Sequence, residues 1–163
     1  MLLGMSLSTF TLLHVILSLV GIGSGFVVLF GLLNGERFDG WTAVFLITTV
    51  LTSVTGFMFP FEKLLPAHIL GILSLLVLAV AIFARYGRRM AGAWRSTYII
   101  TAAFALYFNC FVAVVQALMK IPALHAMAPS GTEPPFLVVQ CVVLAIFVWL
   151  TYPCFRNWRT SLT

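Results

Sequence analysis

The sequence predicts an all-α fold, an integral membrane bundle of five transmembrane helices that forms one domain over residues 1–163, and three observations lead there. Of the 163 residues, 62% are hydrophobic and 8% are charged, where a soluble domain carries about 25% charge. The charged residues cut the chain into uncharged runs at 1–35, 40–61, 64–84, 96–119 and 134–155. Each run holds the roughly 20 apolar residues that cross about 30 Å of hydrocarbon, and none is long enough to cross twice. A chain this poor in polar groups cannot clothe a soluble core, so the lipid bilayer is its expected solvent and first partner. In that setting the formal charge of +5 reports orientation, and nucleic acid is not an expected partner.

The first span is expected at about 9–33. The residues before it lack the Lys or Arg of a signal-peptide n-region, and no small-residue cleavage site follows, so the helix is expected to be retained. Asn34-Gly35 and Asp39-Gly40 bracket the turn into a second span at 41–59. Pro60 closes that span and Pro66 opens the third, at 66–86. Gly87 and Gly92 break a basic loop before the fourth, at 95–119. Pro122, Pro129, Gly131, Pro134 and Pro135 mark the longest connection, with Thr132 as the expected N-cap of a fifth span at 135–153. Cys110, Cys141 and Cys154 are odd in number and follow no metal-ligand spacing, so no disulfide framework is implied.

Threaded this way, Arg37, Arg85, Arg88, Arg89, Arg95, Arg156 and Arg159 share one side of the membrane, and only Lys63 and Lys120 lie on the other. The positive-inside bias predicts the N-terminus outside and the C-terminus in the cytoplasm. Trp41, Trp94, Trp158, Tyr86 and Tyr152 fall on the Arg-rich side as interfacial anchors. The Arg cluster at 85–95 reads as a topology signal with lipid-headgroup contact.

The same threading gathers His14, His68 and His125 at the outer side, with Glu62 and Glu133 in its loops. His14, Ser18, Gly21 and Gly25 follow the spacing of one helix face, and their small or polar character turns that face inward. Tyr98, Ala102, Ala105, Asn109, Val112 and Gln116 form a similar stripe on the fourth span. His68 and Gly71 share a face of the third, and Gln140 lies a turn or two into the fifth. Thr48, Thr52 and Thr55 line one face of the second. The expectation is an outer-half pocket lined by His14, His68, Asn109, Gln116 and Gln140. Beside it stand plainer readings: His68 in the headgroup region, the amides as interhelical hydrogen bonds, Gly21 and Gly25 as packing positions, and the threonines bonded to their own backbone.

Three functions fit such a cluster. One is a haem or metal centre on His14 and His68, a b-type haem electron carrier in its simplest form, with His125 and Glu133 as further ligands for a non-haem metal. Another is a pocket for a small molecule or quinone. The last is an accessory role within a larger membrane complex or homo-oligomer. Enzymatic chemistry is not expected: no carboxylate lies within a span, and no nucleophile–base pairing or phosphate-cradling loop is readable. No internal repeat points to a transporter. The leading expectation is an accessory or small-ligand-binding protein, with the haem carrier as the alternative.

Gly21-Ile22-Gly23-Ser24-Gly25-Phe26, Asp39-Gly40-Trp41-Thr42-Ala43, Thr52-Ser53-Val54-Thr55-Gly56-Phe57, Pro66-Ala67-His68-Ile69-Leu70-Gly71 and Glu133-Pro134-Pro135-Phe136 resemble a widespread group of small bacterial inner-membrane proteins of unknown function. That resemblance covers most of the chain and implies a multi-pass protein of the bacterial inner (plasma) membrane. More distantly, a His in the first span and His68-x-x-Gly71 opening a later one are similar to multi-helix membrane families with intramembrane histidines, some of which bind haem. The stacked histidine pairs of two-haem members are absent.

Overall fold

The computed structural model describes residues 4–60, 66–131 and 133–160. Among these every element is helical: α1 Leu7–Leu33, α2 Asp39–Gly56, α3 Pro66–Ile82, α4 Ala93–Lys120, α5 Pro122–His125 and α6 Pro134–Thr160. The segments at 7–33, 68–87, 93–120 and 134–156 are long and apolar enough to cross a membrane. α2 is shorter, at 18 residues, and is diluted by Thr and Ser.

Each boundary has a local cause. Ser6 caps α1 by accepting from the Thr9 amide at 3.2 Å. At its other end Gly35 adopts φ +75°, and the Glu36 amide reaches back to the Gly31 carbonyl at 2.8 Å, a left-handed closure that glycine permits at little cost. α3 runs on through a π-helical turn at Phe83–Gly87, sealed by amide bonds from Arg88 to Phe83 and from Met90 to Ala84, both 2.9 Å. α5 is a single turn within the longest expected connection, and it starts on Pro122 at a position where proline suits a helix. α6 passes through Pro153, beyond the expected end at 153. Proline removes one backbone donor there, which a helix near its end tolerates. Thr132 and the loop residues Glu62 and Lys63 lie outside the described residues.

α4 is the axis of the bundle: it packs against α1, α2, α3 and α6, while α2 bridges α1 and α3. The core joins Val28 and Leu29 of α1, Phe45 of α2, Leu78 of α3, and Ala102 and Leu106 of α4. Two glycines allow this closeness. A Cβ on Gly25 would come within 2.6 Å of Leu106 Cδ1 and 2.9 Å of the Phe45 ring, and one on Gly71 within 2.9 Å of Phe57. α6 is the outlying helix, held against α1 and α4 and largely exposed, with Trp149 at 73% and Tyr152 at 66%.

Candidate functional site

Antiparallel packing brings the start of α1, the end of α2, the start of α3 and the end of α4 to one end of the bundle. There the expected inward face of α1 holds: His14 and Ser18 are half-buried, and Gly21 and Gly25 are buried. His14 Nδ1 lies 2.8 Å from Thr55 Oγ1 on α2. The Thr55 hydroxyl donates its own proton to the Leu51 carbonyl at 2.7 Å, so its oxygen can only accept from the imidazole. The tautomer follows. Nδ1 carries the proton, and Nε2 keeps a lone pair. The ring stands edge-on to Phe59, centroids 5.2 Å apart, with Gly56 beside its Cε1 edge.

One turn deeper, Ser18 Oγ donates to Asn109 Oδ1 at 2.7 Å, and Asn109 Nδ2 donates to the Ser18 carbonyl at 3.4 Å. The two bonds tie α1 to α4. Between α2 and α3, Ser53 Oγ and Ser74 Oγ meet at 3.2 Å. Gln140 Nε2 donates to the Phe111 carbonyl at 3.3 Å, which ties α6 to α4. His68 is buried on α3 beside the Phe57 ring, centroids 5.8 Å apart.

Of the five expected pocket residues, His14, His68, Asn109 and Gln140 are thus buried or half-buried among neighbouring helices. Gln116 is exposed. The inward stripe of α4 holds from Tyr98 to Asn109, loosens at Val112 and turns outward at Gln116, where no neighbouring helix draws the amide in. Ser18, Asn109 and Gln140 each make a bond between helices. The two cavities described lie elsewhere and are apolar: a groove of about 160 Å³ between α4 and α6, lined in part by Phe104, Tyr107 and Phe147, and a shallow surface hollow on α6. Glu133 Oε1 accepts from the amide and hydroxyl of Ser130 at 2.8 and 2.7 Å. Among the described residues no three His, Cys, Asp or Glu side chains gather as metal ligands.

The opposite end holds what the sequence reading missed. Arg85 and Arg95 are 7% and 6% exposed, unlike the surface arginines of a topology signal. Arg85 pairs with Asp39 across α3 and α2 and lies over the Tyr98 ring, 5.6 Å from its centroid. The signal was present in the spacing. Ser74, Leu78, Ala81 and Arg85 continue the buried stripe of α3 that begins at His68, and Arg95 sits one turn before Tyr98 on α4. Arg88, by contrast, is exposed and stacks on Phe83 and Trp94.

No protein-family model, curated protein or solved structure matches this chain. The site therefore stands on its own geometry.

Proposed function

We propose that the chain is a five-span protein of the bacterial inner membrane, N-terminus outside, that acts as a small-ligand-binding or accessory component, with His14 as the group that meets the ligand. α2 supplies the fifth span. Its 18 residues reach about 27 Å at 1.5 Å per residue, and the hydroxyls of Thr48, Thr52, Ser53 and Thr55 are each satisfied by the carbonyl four residues back, which suits them to hydrocarbon. The single observation that carries the functional reading is the His14–Thr55 bond, which leaves Nε2 as a lone-pair acceptor at the outer end of the bundle. A ligand bearing an O–H or N–H, such as a quinol, matches that nitrogen; a ligand with acceptors alone does not.

The haem reading has one observation in its favour. A histidine whose Nδ1–H is held by a hydroxyl is oriented to ligate through Nε2. Against it, the Phe59 ring packs on His14 and the Phe57 ring packs on His68, so a macrocycle would have to displace both.

Mass spectrometry of small molecules retained by detergent-purified protein tests the first reading. A species kept by the wild type and lost from both His14→Ala and His14→Phe supports ligand binding; equal retention in all three removes His14 from the site. A reduced-minus-oxidised absorption spectrum of the same samples separates the haem reading, which requires a Soret band lost in His14→Ala and in His68→Ala. Reporter fusions after Lys63 and Arg89 check the topology, with periplasmic and cytoplasmic signals expected in that order.

A further inference from the structure

Along α2, Thr48, Thr52, Ser53 and Thr55 send their hydroxyl protons to the carbonyls four residues back, at 2.7 to 3.0 Å. Thr49 does not. The residue is 1% exposed, and its Oγ1 is buried without a hydrogen-bond partner. That hydroxyl faces α1 at Gly21. A Cβ on Gly21 would lie 3.1 Å from Asn109 Nδ2, 3.2 Å from Thr49 Oγ1 and 3.3 Å from Thr48 Oγ1. Polar atoms from α2 and α4 therefore converge where α1 carries no side chain.

The neighbouring bonds set what each atom offers. Asn109 Oδ1 is taken by the Ser18 hydroxyl, which fixes the amide so that Nδ2 turns toward Gly21. Its one further contact there, to the Ser18 carbonyl, is long at 3.4 Å, and an amide nitrogen has two hydrogens. The Thr48 proton is committed to the Val44 carbonyl, leaving an acceptor oxygen. The Thr49 proton is uncommitted. The set is two donors and one acceptor. A metal cation is opposed by the amide N–H, and an apolar occupant would leave the Thr49 hydroxyl unsatisfied in hydrocarbon, which is costly. A water molecule that accepts twice and donates once satisfies every member, and buried waters make about three such bonds.

We infer that one water molecule binds between Gly21, Thr48, Thr49 and Asn109, as a built-in bridge joining α1, α2 and α4 at mid-depth in the bundle. Gly21 is glycine because a methyl group would take the water's place. One turn below, the contact of Gly25 with Phe45 and Leu106 closes the niche with apolar surface.

Thr49→Val, which keeps the shape and removes the hydroxyl, gives a test by sign. In a dry niche it deletes an orphaned donor, and the unfolding midpoint rises. In a hydrated niche it strips the water of one of three partners, and the midpoint falls by about 2–4 °C. A second readout is direct. With asparagine alone labelled with nitrogen-15, the chain shows three side-chain amides, from Asn34, Asn109 and Asn157. The Asn109 pair, assigned by its loss in Asn109→Gln, should give a rotating-frame cross-peak to water that disappears in Gly21→Ala. A midpoint that rises or stays put in Thr49→Val overturns the inference. So does an Asn109 amide silent toward water in a sample where the exposed Asn34 is not.

Discussion

Replacing Gly25 by alanine should destabilise the bundle, while the same change two residues earlier should not. The new Cβ would stand 2.6 Å from Leu106 Cδ1 and 2.9 Å from Phe45 Cδ2 and Cε2, against a carbon–carbon optimum of about 3.5–4.0 Å. Leu106 and Phe45 are each 1% exposed, so neither can swing into lipid to make room. Overpacking of this kind costs about 1–3 kcal/mol. Alanine also recovers up to about 1 kcal/mol of helix propensity relative to glycine, and that gain is common to both sites. Gly23 has nothing within 4 Å of its Cβ position, so Gly23→Ala reports the gain alone.

Gly25→Ala should therefore lie about 1–3 kcal/mol below Gly23→Ala, or roughly 2–12 °C in the midpoint for a chain of this size. The assay is thermal unfolding of detergent-purified variants followed by far-UV circular dichroism. A double variant sharpens it. Leu106→Ala alone should cost about 2–5 kcal/mol, but less on the Gly25→Ala background, because the added methyl group occupies part of the cavity. Equal midpoints for the two glycine variants, or strict additivity with Leu106→Ala, would refute the contact of α1 with α2 and α4 as described.

Two further outcomes concern the polar ties. In a cycle of Ser18→Ala and Asn109→Leu, unfolding free energies should show a coupling near 0.6 kcal/mol and no more than about 1.7, and zero coupling would mean that the side chains do not meet. Asp39→Asn leaves the buried Arg85 guanidinium without its counter-charge; since Asp39 itself is 84% exposed, the loss should be modest, about 1 kcal/mol. Asp39→Asn combined with Arg85→Met should recover most of it, because the apolar chain needs no partner, and a double variant weaker than the single one would count against the pair.

The helices were legible because each rests on a one-dimensional signal. Charges at Glu36, Arg85, Lys120 and Arg156 interrupt apolar runs, and Asn34-Gly35 and Pro134 punctuate them. The inward faces of α1 and α4 were legible from small and polar residues at helical spacing, down to Gly21 beside Asn109. What failed did so where neighbours decide the outcome. Gln116 keeps the phase of Asn109, but α4 outruns its partners there, so the same stripe ends at the surface. Arg85 and Arg95 carry the charge of a topology signal, yet the stripes from His68 to Arg85 and from Arg95 to Asn109 bury them. Charge and phase point in opposite directions at Arg85, and a guanidinium beside Asp39 and the Tyr98 ring satisfies both. The partners of His14 and Gln140 were not legible at all. Nothing local to Thr55 or to the Phe111 carbonyl marks either as the atom to which another helix bonds.

A membrane bundle has little hydrophobic force to hold one helix to another, because lipid is as apolar as leucine. Packing and polar ties must supply the cohesion, and the placement of the polar groups here follows that need. Ser18 with Asn109, Ser53 with Ser74, and Gln140 with the Phe111 carbonyl each join a different helix pair. Groups used this way are structural, and their loss is read in stability. His14 differs in kind. Its Thr55 bond uses one ring nitrogen and, by fixing the tautomer, defines what the other can accept. Thr49 differs too, as an α2 hydroxyl buried without a hydrogen-bond partner. The two residues mark a polar seam along the contact of α1 with α2, from the His14 end to the middle of the bundle. Function is to be sought along that seam first, since both residues offer a polar atom there that no other helix uses.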